Sequence, residues 1–147
     1  MDIEQAFAIS ASALDAQRTR LNVISSNLAN VQSTRTPEGG PYRRKDVVFS
    51  STPVHGAFDE ALAASKTSEV FQGVQVTDVV LDPRPLRKTY EPHHPDADPA
   101  TGYVEYPNVN MMEETVGMMT ALRAYEANVT ALNATKSMAA KALEIGR

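Results

Sequence analysis

Proline and glycine are distributed very unevenly along this chain of 147 residues, and they divide it into three parts. The first 36 residues contain neither, whereas all 9 prolines and five of the 7 glycines lie between Pro37 and Pro107. Both residue types interrupt regular helices. The pattern therefore predicts a long helix within residues 1–32, an irregular or β-rich centre in residues 33–108, and a second long helix within residues 109–147.

The N-terminal helix is predicted from Ile3 to Val31, roughly 29 residues or about 44 Å. Asp2 and Gln5 have the spacing of a capping box, which favours a helix that starts at once. Two interleaved rows of mostly apolar residues repeat every seven positions: Phe7, Leu14, Leu21 and Leu28, then Ile3, Ser10, Gln17, Ile24 and Val31. This heptad stripe is typical of a helix that packs against other helices.

The C-terminal helix is predicted to begin after Asn110, which forms a second capping-box pattern with Glu113. Gly146 is placed as its C-cap, so the helix would have roughly 35 residues and a length of about 52 Å. Its stripe alternates by four and three residues: Met111, Thr115, Met118, Leu122, Tyr125, Val129, Leu132, Lys136, Ala139 and Leu143.

These features predict a mainly α protein with a small β or irregular insertion, in which the two long helices pair as an antiparallel coiled coil. Ser10, Gln17 and Lys136 weaken the predicted seam, whereas further apolar residues widen it: Val23, Met112, Val116 and Met119. A wide and weak seam is more stable when neighbouring chains cover it. The two helices therefore indicate a protein that assembles with other subunits.

Strands are predicted only in the centre, at Asp46–Phe49, Val70–Leu81 and Tyr103–Tyr106. The residues between them are rich in turn formers and unsuited to regular structure. The segment Gly56–Ser68 is compatible with a short helix or a loop. We expect a small β module between the terminal helices.

Composition and charge exclude several classes of function. The net charge of −4 argues against sequence-independent binding of nucleic acid, and the absence of cysteine removes disulfides and thiolate metal sites. No basic region followed by an apolar run opens the sequence, so we expect no secretory signal peptide. No run of 18 apolar residues occurs, so no membrane span is predicted.

One cluster carries residue types that bind metals: His93, His94, Asp96 and Asp98. The neighbouring prolines hold this segment extended and point its side chains in different directions. A rigid surface loop is therefore favoured over a metal site, and neither a metal nor a cofactor is predicted. No nucleophile–base pair or G-x-S-x-G turn is present, so an enzyme is not expected.

Three polar features each leave two interpretations open. The basic run Arg43–Lys45 is either a solvated loop edge or a set of salt-bridge partners for an acidic neighbour. Asn27 and Asn30 either cap the first helix or hydrogen-bond across a helix interface and fix its register. Glu113 and Glu114 are adjacent, so they fit the dipole at a helix N-terminus better than they fit a catalytic pair.

Four segments resemble bacterial flagellar rod and hook proteins. ISSNLAN at Ile24–Asn30 is similar to the S-N-N-L-A-N signature of this axial family, although Ser26 stands where the first of two asparagines is usual. The segments Thr36–Phe49, His94–Asn110 and Met118–Met138 resemble, more specifically, one component of the proximal rod of the basal body. The similarity covers nearly the whole chain except the Ser50–Phe71 stretch.

The resemblance implies a structural rod subunit that transmits torque through packed helices in the periplasm and is exported without a cleaved signal. It implies other rod proteins, a basal-body adaptor protein, the inner-membrane ring and the flagellar type III export apparatus as partners in a hetero-oligomeric helical assembly. The residues expected at subunit contacts are Phe7, Leu14, Leu21, Ile24, Asn27, Leu28, Asn30, Met118, Leu122, Tyr125, Val129, Leu132 and Leu143.

Three other hypotheses remain. A distal rod or hook-adjacent subunit would usually carry a larger central insertion than this chain has. A coiled-coil adaptor or chaperone would form a stable soluble dimer. A metal-dependent enzyme would need His93, His94, Asp96 and Asp98 to converge on one ion.

Overall fold

The computed structural model describes residues 3–53 and 71–145. The elements follow one another along the chain as α1 (Ile3–Ala29), β1 (Lys45–Pro53), β2 (Gln72–Leu81), β3 (Arg87–Tyr90), β4 (Tyr103–Tyr106) and α2 (Met111–Ile145). The chain is mainly helical with small antiparallel sheets, as the sequence predicted. The division at residues 32 and 108 stays a prediction.

Helix α1 ends two residues before the predicted Val31, because Asn30 closes it. The Asn30 N–H donates to the Ser26 and Asn27 carbonyl oxygens at 3.1 and 3.2 Å, and its side-chain Nδ2 also donates to the Ser26 oxygen at 2.9 Å. Ser33 then donates from Oγ to Asn30 Oδ1 at 3.0 Å. These bonds satisfy carbonyls that a helix end leaves unpaired. Asp2, the predicted start signal, lies outside the described residues.

Helix α2 starts where the sequence predicted, with Asn110 as its cap. Asn110 Oδ1 accepts the Met112 N–H at 3.0 Å, and the Asn110 carbonyl accepts the Glu114 N–H at 3.0 Å. The Asn110 side-chain Nδ2 also donates to Glu113 Oε1 at 3.3 Å, so a bond between the two side chains completes the cap. The predicted C-cap, Gly146, lies outside the described residues.

Strands β1 and β2 form one antiparallel ladder, from the pair Lys45 and Leu81 to the pair Pro53 and Gln72. A bulge between Val48 and Phe49 shifts the register. β1 is longer than the predicted Asp46–Phe49 at both ends, because β2 offers it a partner along its whole length. The prediction for Gly56–Ser68 falls outside the described residues.

Strands β3 and β4 form a second antiparallel sheet, in which Arg87 pairs with Tyr106 and Tyr90 with Tyr103. The sequence did not predict β3, a four-residue strand of mostly polar residues. Tertiary pairing creates it: the Tyr90 and Tyr103 rings meet edge to face with 5.3 Å between centroids, and Lys88 Nζ lies 3.0 Å from Glu105 Oε1.

Helix α1 lies at the centre of the molecule, with α2 on one side and the β1–β2 sheet on another. Ser12 Oγ accepts the backbone N–H of Val74 in β2 at 3.2 Å, and the Arg20 guanidinium lies 5.9 Å from the centroid of the Phe49 ring. The buried apolar core of the described residues is small, and its members are Ala16, Ile24, Tyr42, Val104, Val109 and Ala121.

The face of α2 that packs on α1 differs from the predicted stripe by about one residue. Glu114, Ala121 and Thr135 are buried at spacings of seven and fourteen, whereas Leu122 and Leu143 of the predicted stripe are exposed. A methyl group added to Gly117 would lie 3.6 Å from the Ile24 Cδ1 atom, so the helices approach closely there. Close approach favours small residues in the seam and leaves larger apolar residues outside it.

Candidate assembly site

Asn27 is a fully buried junction between three parts of the chain, with an exposed fraction of 0%. Its Nδ2 donates to the Lys45 carbonyl oxygen at 2.8 Å and to Glu114 Oε2 at 3.1 Å. Its Oδ1 accepts the Lys45 N–H and the Tyr42 hydroxyl, both at 3.0 Å. The amide therefore uses both donors and both acceptor positions, and it fixes α1 to the start of β1 and to α2.

Glu114 carries this junction into a buried ion pair. The side chain is 1% exposed, and its Oε1 accepts from Arg44 Nε at 2.7 Å. Arg44 also lies 3.2 Å from Asp46 and 3.4 Å from Asp82. Burial alone lowers the pKa of Arg44, but hydrogen bonds and charge from Glu114 and Asp46 outweigh burial, so the pKa lies above its ordinary value. A buried pair of this kind is costly to break from one side.

Asn108 and Asp82 extend the junction to the connection that enters α2. Asn108 Oδ1 accepts the Arg44 N–H at 2.8 Å, and its Nδ2 donates to the Arg84 carbonyl at 3.1 Å. The side chain and backbone N–H of Arg84 both donate to Asp82 at 2.9 Å and hold the pKa of that carboxyl below its ordinary value. We call the whole set the polar hub: Asn27, Tyr42, Arg44, Asp82, Asn108 and Glu114.

The polar hub resolves the open interpretations of the polar motifs. Asn27 bonds across the helix interface, whereas Asn30 caps α1. Arg44 is a salt-bridge partner, while Arg43 stays exposed. Sequence reasoning missed the burial of Glu114, because its partners Asn27 and Arg44 lie 87 and 70 positions away in the chain.

The opposite face of α2 presents an apolar surface to solvent. We call it the outer stripe: Met111, Met112, Val116, Met119 and Leu122. Met112 is 73% exposed and Val116 57% exposed, over the first three turns of the helix. Near the other end of α2, Met138 and Leu143 are also exposed. Contiguous exposed apolar side chains mark a surface that another molecule covers.

The residues predicted at subunit contacts are distributed over all degrees of burial. Ile24 and Asn27 are buried, Leu122 and Leu143 are exposed, and the rest are half-buried: Phe7, Leu14, Leu21, Leu28, Asn30, Met118, Tyr125, Val129 and Leu132. Their assignment to contacts between subunits stays a prediction. Asn27 makes the four hydrogen bonds described above within one chain.

The histidine–aspartate segment is held by contacts with protein groups. Asp96 accepts from Thr34 Oγ1 at 2.8 Å and pairs with Arg35, and the Asp96 N–H donates to His94 Nδ1 at 3.1 Å. Hydrogen bonds from the Ala100 N–H and the Thr101 hydroxyl lower the pKa of Asp98. Within residues 3–53 and 71–145, no group of three histidine or acidic side chains has metal-binding geometry.

A helix pair fixed to a small β module, with an apolar stripe on its outer side and no metal-binding cluster among the described residues, is typical of a structural protein. Neither helix is long and apolar enough to cross a membrane in the part of the chain described. Two family models match these elements. The model for flagella basal body rod protein matches residues 7–35, and the model for the C-terminal part of flagellar basal body rod FlgEFG proteins matches residues 100–145.

Curated relatives cover nearly the whole chain. The sequence is 42% identical to flagellar basal-body rod protein FlgC of Borreliella burgdorferi, over 99% of this chain and 98% of the relative. It is 46% identical to FlgC of Bacillus subtilis strain 168, over 95% of each, and 45% identical to FlgC of Escherichia coli O6:H1, over 96% of each. The chain belongs to the FlgC family of flagellar basal-body rod proteins, and is thus a structural rod protein of the basal body.

Proposed function

We propose that this rod protein transmits torque through side-by-side packing of its helices with those of neighbouring subunits in the proximal rod. The outer stripe carries the proposal, because it leaves an apolar face of α2 open while α1 covers the opposite face. Burying apolar surface stabilises association by about 25 cal/mol per Å² before the costs of ordering. Catalysis has no part in this function.

We further propose that α1 and α2 pair as an antiparallel coiled coil. Two contacts support this: Asn27 bonds Glu114, and three residues earlier on α1, Ile24 lies next to Gly117, three residues later on α2. The buried positions Glu114, Ala121 and Thr135 continue the same heptad face along α2. The two helices would then transmit load as one rod-shaped unit.

The polar hub supports a rigid link between that unit and the β module. Asn27 and Glu114 belong to the two helices, whereas Tyr42, Arg44 and Asp82 belong to β1 and β2 or the residues beside them. A fully satisfied buried network holds one geometry, because any slip leaves buried polar atoms without partners. Force applied to the β module would therefore reach the helices without internal slippage.

As partners we propose other rod proteins along the helices, and an adaptor protein with the inner-membrane ring at the base of the rod. We propose that the chain reaches the periplasm through the flagellar export apparatus without cleavage. Assembly with basal-body components follows from the family. The particular neighbours are supported only by the resemblance to proximal rod components.

The double substitution Met112→Asp with Met119→Asp tests the outer stripe. It should abolish motility in soft agar and remove the chain from isolated basal bodies, because it places two charges in an apolar contact. The exported fraction and the helical content of the purified variant should match the wild type. The exposed position Thr130→Asp is the matched control and should retain motility. Normal basal-body incorporation of the double variant would overturn the proposal.

A further inference from the structure

A groove opens between the turn that precedes β1 and the end of β2. The turn closes on itself, because the Thr36 N–H donates to the Gly40 carbonyl oxygen at 2.9 Å and the Gly39 N–H donates to the Thr36 carbonyl oxygen at 3.0 Å. Leu81, the last residue of β2, and Leu86 also line the space. We call it the turn groove. Its volume of about 480 Å³ is large enough for a short stretch of peptide.

The basic run that precedes β1 is divided between the polar hub and the turn groove. Arg44 pairs with the carboxylates of Asp46 and Asp82 on the side of the hub, whereas Arg43 and Lys45 are exposed and line the turn groove. This alternation is typical of extended backbone, in which successive side chains point to opposite sides. Neither Arg43 nor Lys45 forms an ion pair with a residue of the described ranges. Both cations can therefore accept carboxylate partners from outside.

Apolar side chains and one carboxylate complete the lining of the turn groove. Leu81 pairs with Lys45 across the ladder and is 57% exposed, while Leu86 is half-buried. The Tyr42 ring lies beneath Lys45, with 5.9 Å between Nζ and the ring centroid. Glu38, on the turn, is the one acidic side chain among the described lining residues. The groove therefore offers apolar contacts beside a net positive charge, on a chain whose own net charge is −4.

We infer that the turn groove binds an acidic segment of another basal-body protein, one that also carries apolar side chains. Carboxylates of that segment would pair with Arg43 and Lys45, and an apolar side chain would cover Leu81 and Leu86. Opposite charges across an interface steer association and fix its register. The contact is made by the β module and not by the helices, so it goes beyond the proposed function and does not depend on the outer stripe.

The two kinds of lining together select this occupant. A purely apolar segment would cover the two cations without supplying a counter-charge, which is costly. A small inorganic anion would pair with the cations but leave the exposed Leu81 side chain in water. An anionic bilayer is flat on the scale of this protein and does not enter a concave space between a turn and a strand end. An acidic peptide with apolar side chains satisfies both parts of the groove.

Solution NMR of the isotope-labelled full chain tests the groove, because shifts of backbone amide signals report even weak binding residue by residue. The probe is a capped hexapeptide of alternating glutamate and leucine, and the comparison peptide has glutamine in place of each glutamate. We expect the glutamate peptide to shift the signals of Arg43, Lys45, Leu81 and Leu86. The glutamine peptide should bind roughly tenfold more weakly, since it lacks both ion pairs. Affinity for the glutamate peptide should fall as salt is added, because salt screens exposed charges.

Paired substitutions locate the binding site. Arg43→Gln with Lys45→Gln should weaken binding of the glutamate peptide by roughly tenfold. Arg123→Gln with Lys141→Gln removes the same charge from exposed positions of α2 and should leave the affinity unchanged. Leu81→Thr keeps a good strand former at the end of β2 and should also weaken binding. Retained side-chain amide signals of Asn27 in each variant show that the polar hub is intact.

Several outcomes would overturn the inference. They are the absence of shifts at the turn groove, equal affinity for the two peptides, and equal loss of affinity in the two double variants. Vesicles of phosphatidylglycerol and inorganic phosphate are tested as separate probes. If either shifts the same signals at the concentration at which the peptide does, the groove is a general anion site and not a peptide site. Shifts that grow with the concentration of the chain alone would assign the groove to a second copy.

Discussion

The Nδ2 atom of Asn27 lies 3.1 Å from Oε2 of Glu114, and the two residues are 87 positions apart in the chain. Both side chains are buried, and each is among the largest fully buried side chains of the described residues. This single hydrogen bond joins the end of one terminal helix to the beginning of the other. The fold is thus held at its centre by polar groups, where an apolar contact would be usual.

Asn27→Ala should lower the free energy of unfolding by roughly 2–4 kcal/mol, because it removes the hydrogen bonds that Tyr42, Lys45 and Glu114 make with the buried amide. Urea unfolding followed by far-UV circular dichroism measures the loss. The exposed Asn133→Ala is the matched control and should change stability by less than about 0.5 kcal/mol. Equal losses of unfolding free energy in the two variants would show that the hydrogen bonds of Asn27 do not stabilise the fold.

Gln17→Leu should raise the free energy of unfolding by about 1 kcal/mol. The Gln17 Oε1 atom is buried and has no hydrogen-bond partner in the described structure. Replacing it therefore removes the free-energy cost of burying a polar atom without a hydrogen bond. Gln32→Leu, at an exposed position just after α1, provides the comparison in the same urea experiment. A loss of stability in Gln17→Leu would mean that the amide oxygen does find a partner in solution.

Two glycines should respond to alanine in opposite directions. Gly117→Ala should stabilise the chain by about 1 kcal/mol, because a helical glycine is replaced and the new methyl has room at 3.6 Å from Ile24. Gly102→Ala should destabilise it, since Gly102 has a φ of +70° and its new methyl would lie 2.9 Å from Tyr90 Cε2. Thermal unfolding of the two variants checks the signs, and the same sign for both would contradict the structure.

The Asp82 carboxyl should make the free energy of unfolding decrease as the pH falls below about 4. Its pKa in the folded chain is held below the ordinary value of 3.8 by hydrogen bonds from Arg84. The folded state therefore binds this proton less readily than the unfolded state does. The stabilisation is complete above the unfolded pKa and is lost as the pH falls through the folded pKa, below about pH 4.

Asp82→Asn tests this pH dependence. Unfolding free energies measured in urea across the acid range should fall less steeply for the variant than for the wild type, and the two curves should converge at the lowest pH. Parallel curves would show that the Asp82 carboxyl titrates alike in both states.

The two helices and the start of α2 could be predicted from sequence because their signals are local. Asn110 caps α2 through the N–H two residues later, and Asn30 closes α1 through Ser26, four residues earlier. The mostly polar β3 carries no such signal, since its four residues become a strand only by pairing with β4. The polar hub likewise has no local sequence signal, because its hydrogen bonds join residues far apart in the chain.

Part of the predicted seam differs from the structure for a different physical reason. Heptad analysis assigns the largest apolar residues to helix contacts, so Leu122 and Leu143 were expected in contacts within or between subunits. The structure places Ala121 and the neighbourhood of Gly117 against α1, because small side chains allow close approach. Large residues left outside are unfavourable in an isolated chain. Sequence patterns alone cannot divide apolar positions between contacts within a chain and contacts between chains.

The polar hub joins the helix pair to the β module at one end of the pair, so a rotation there displaces the far end of α2 the most. Glu114 is held in the first turn, and Ile145 lies 31 residues further on, at a distance of about 46 Å. A tilt of about 5° at the hub would therefore displace the far end by about 4 Å, more than half a helical turn. Small rearrangements among buried carboxylate, guanidinium and amide groups would be amplified into changes of spacing at the opposite tip.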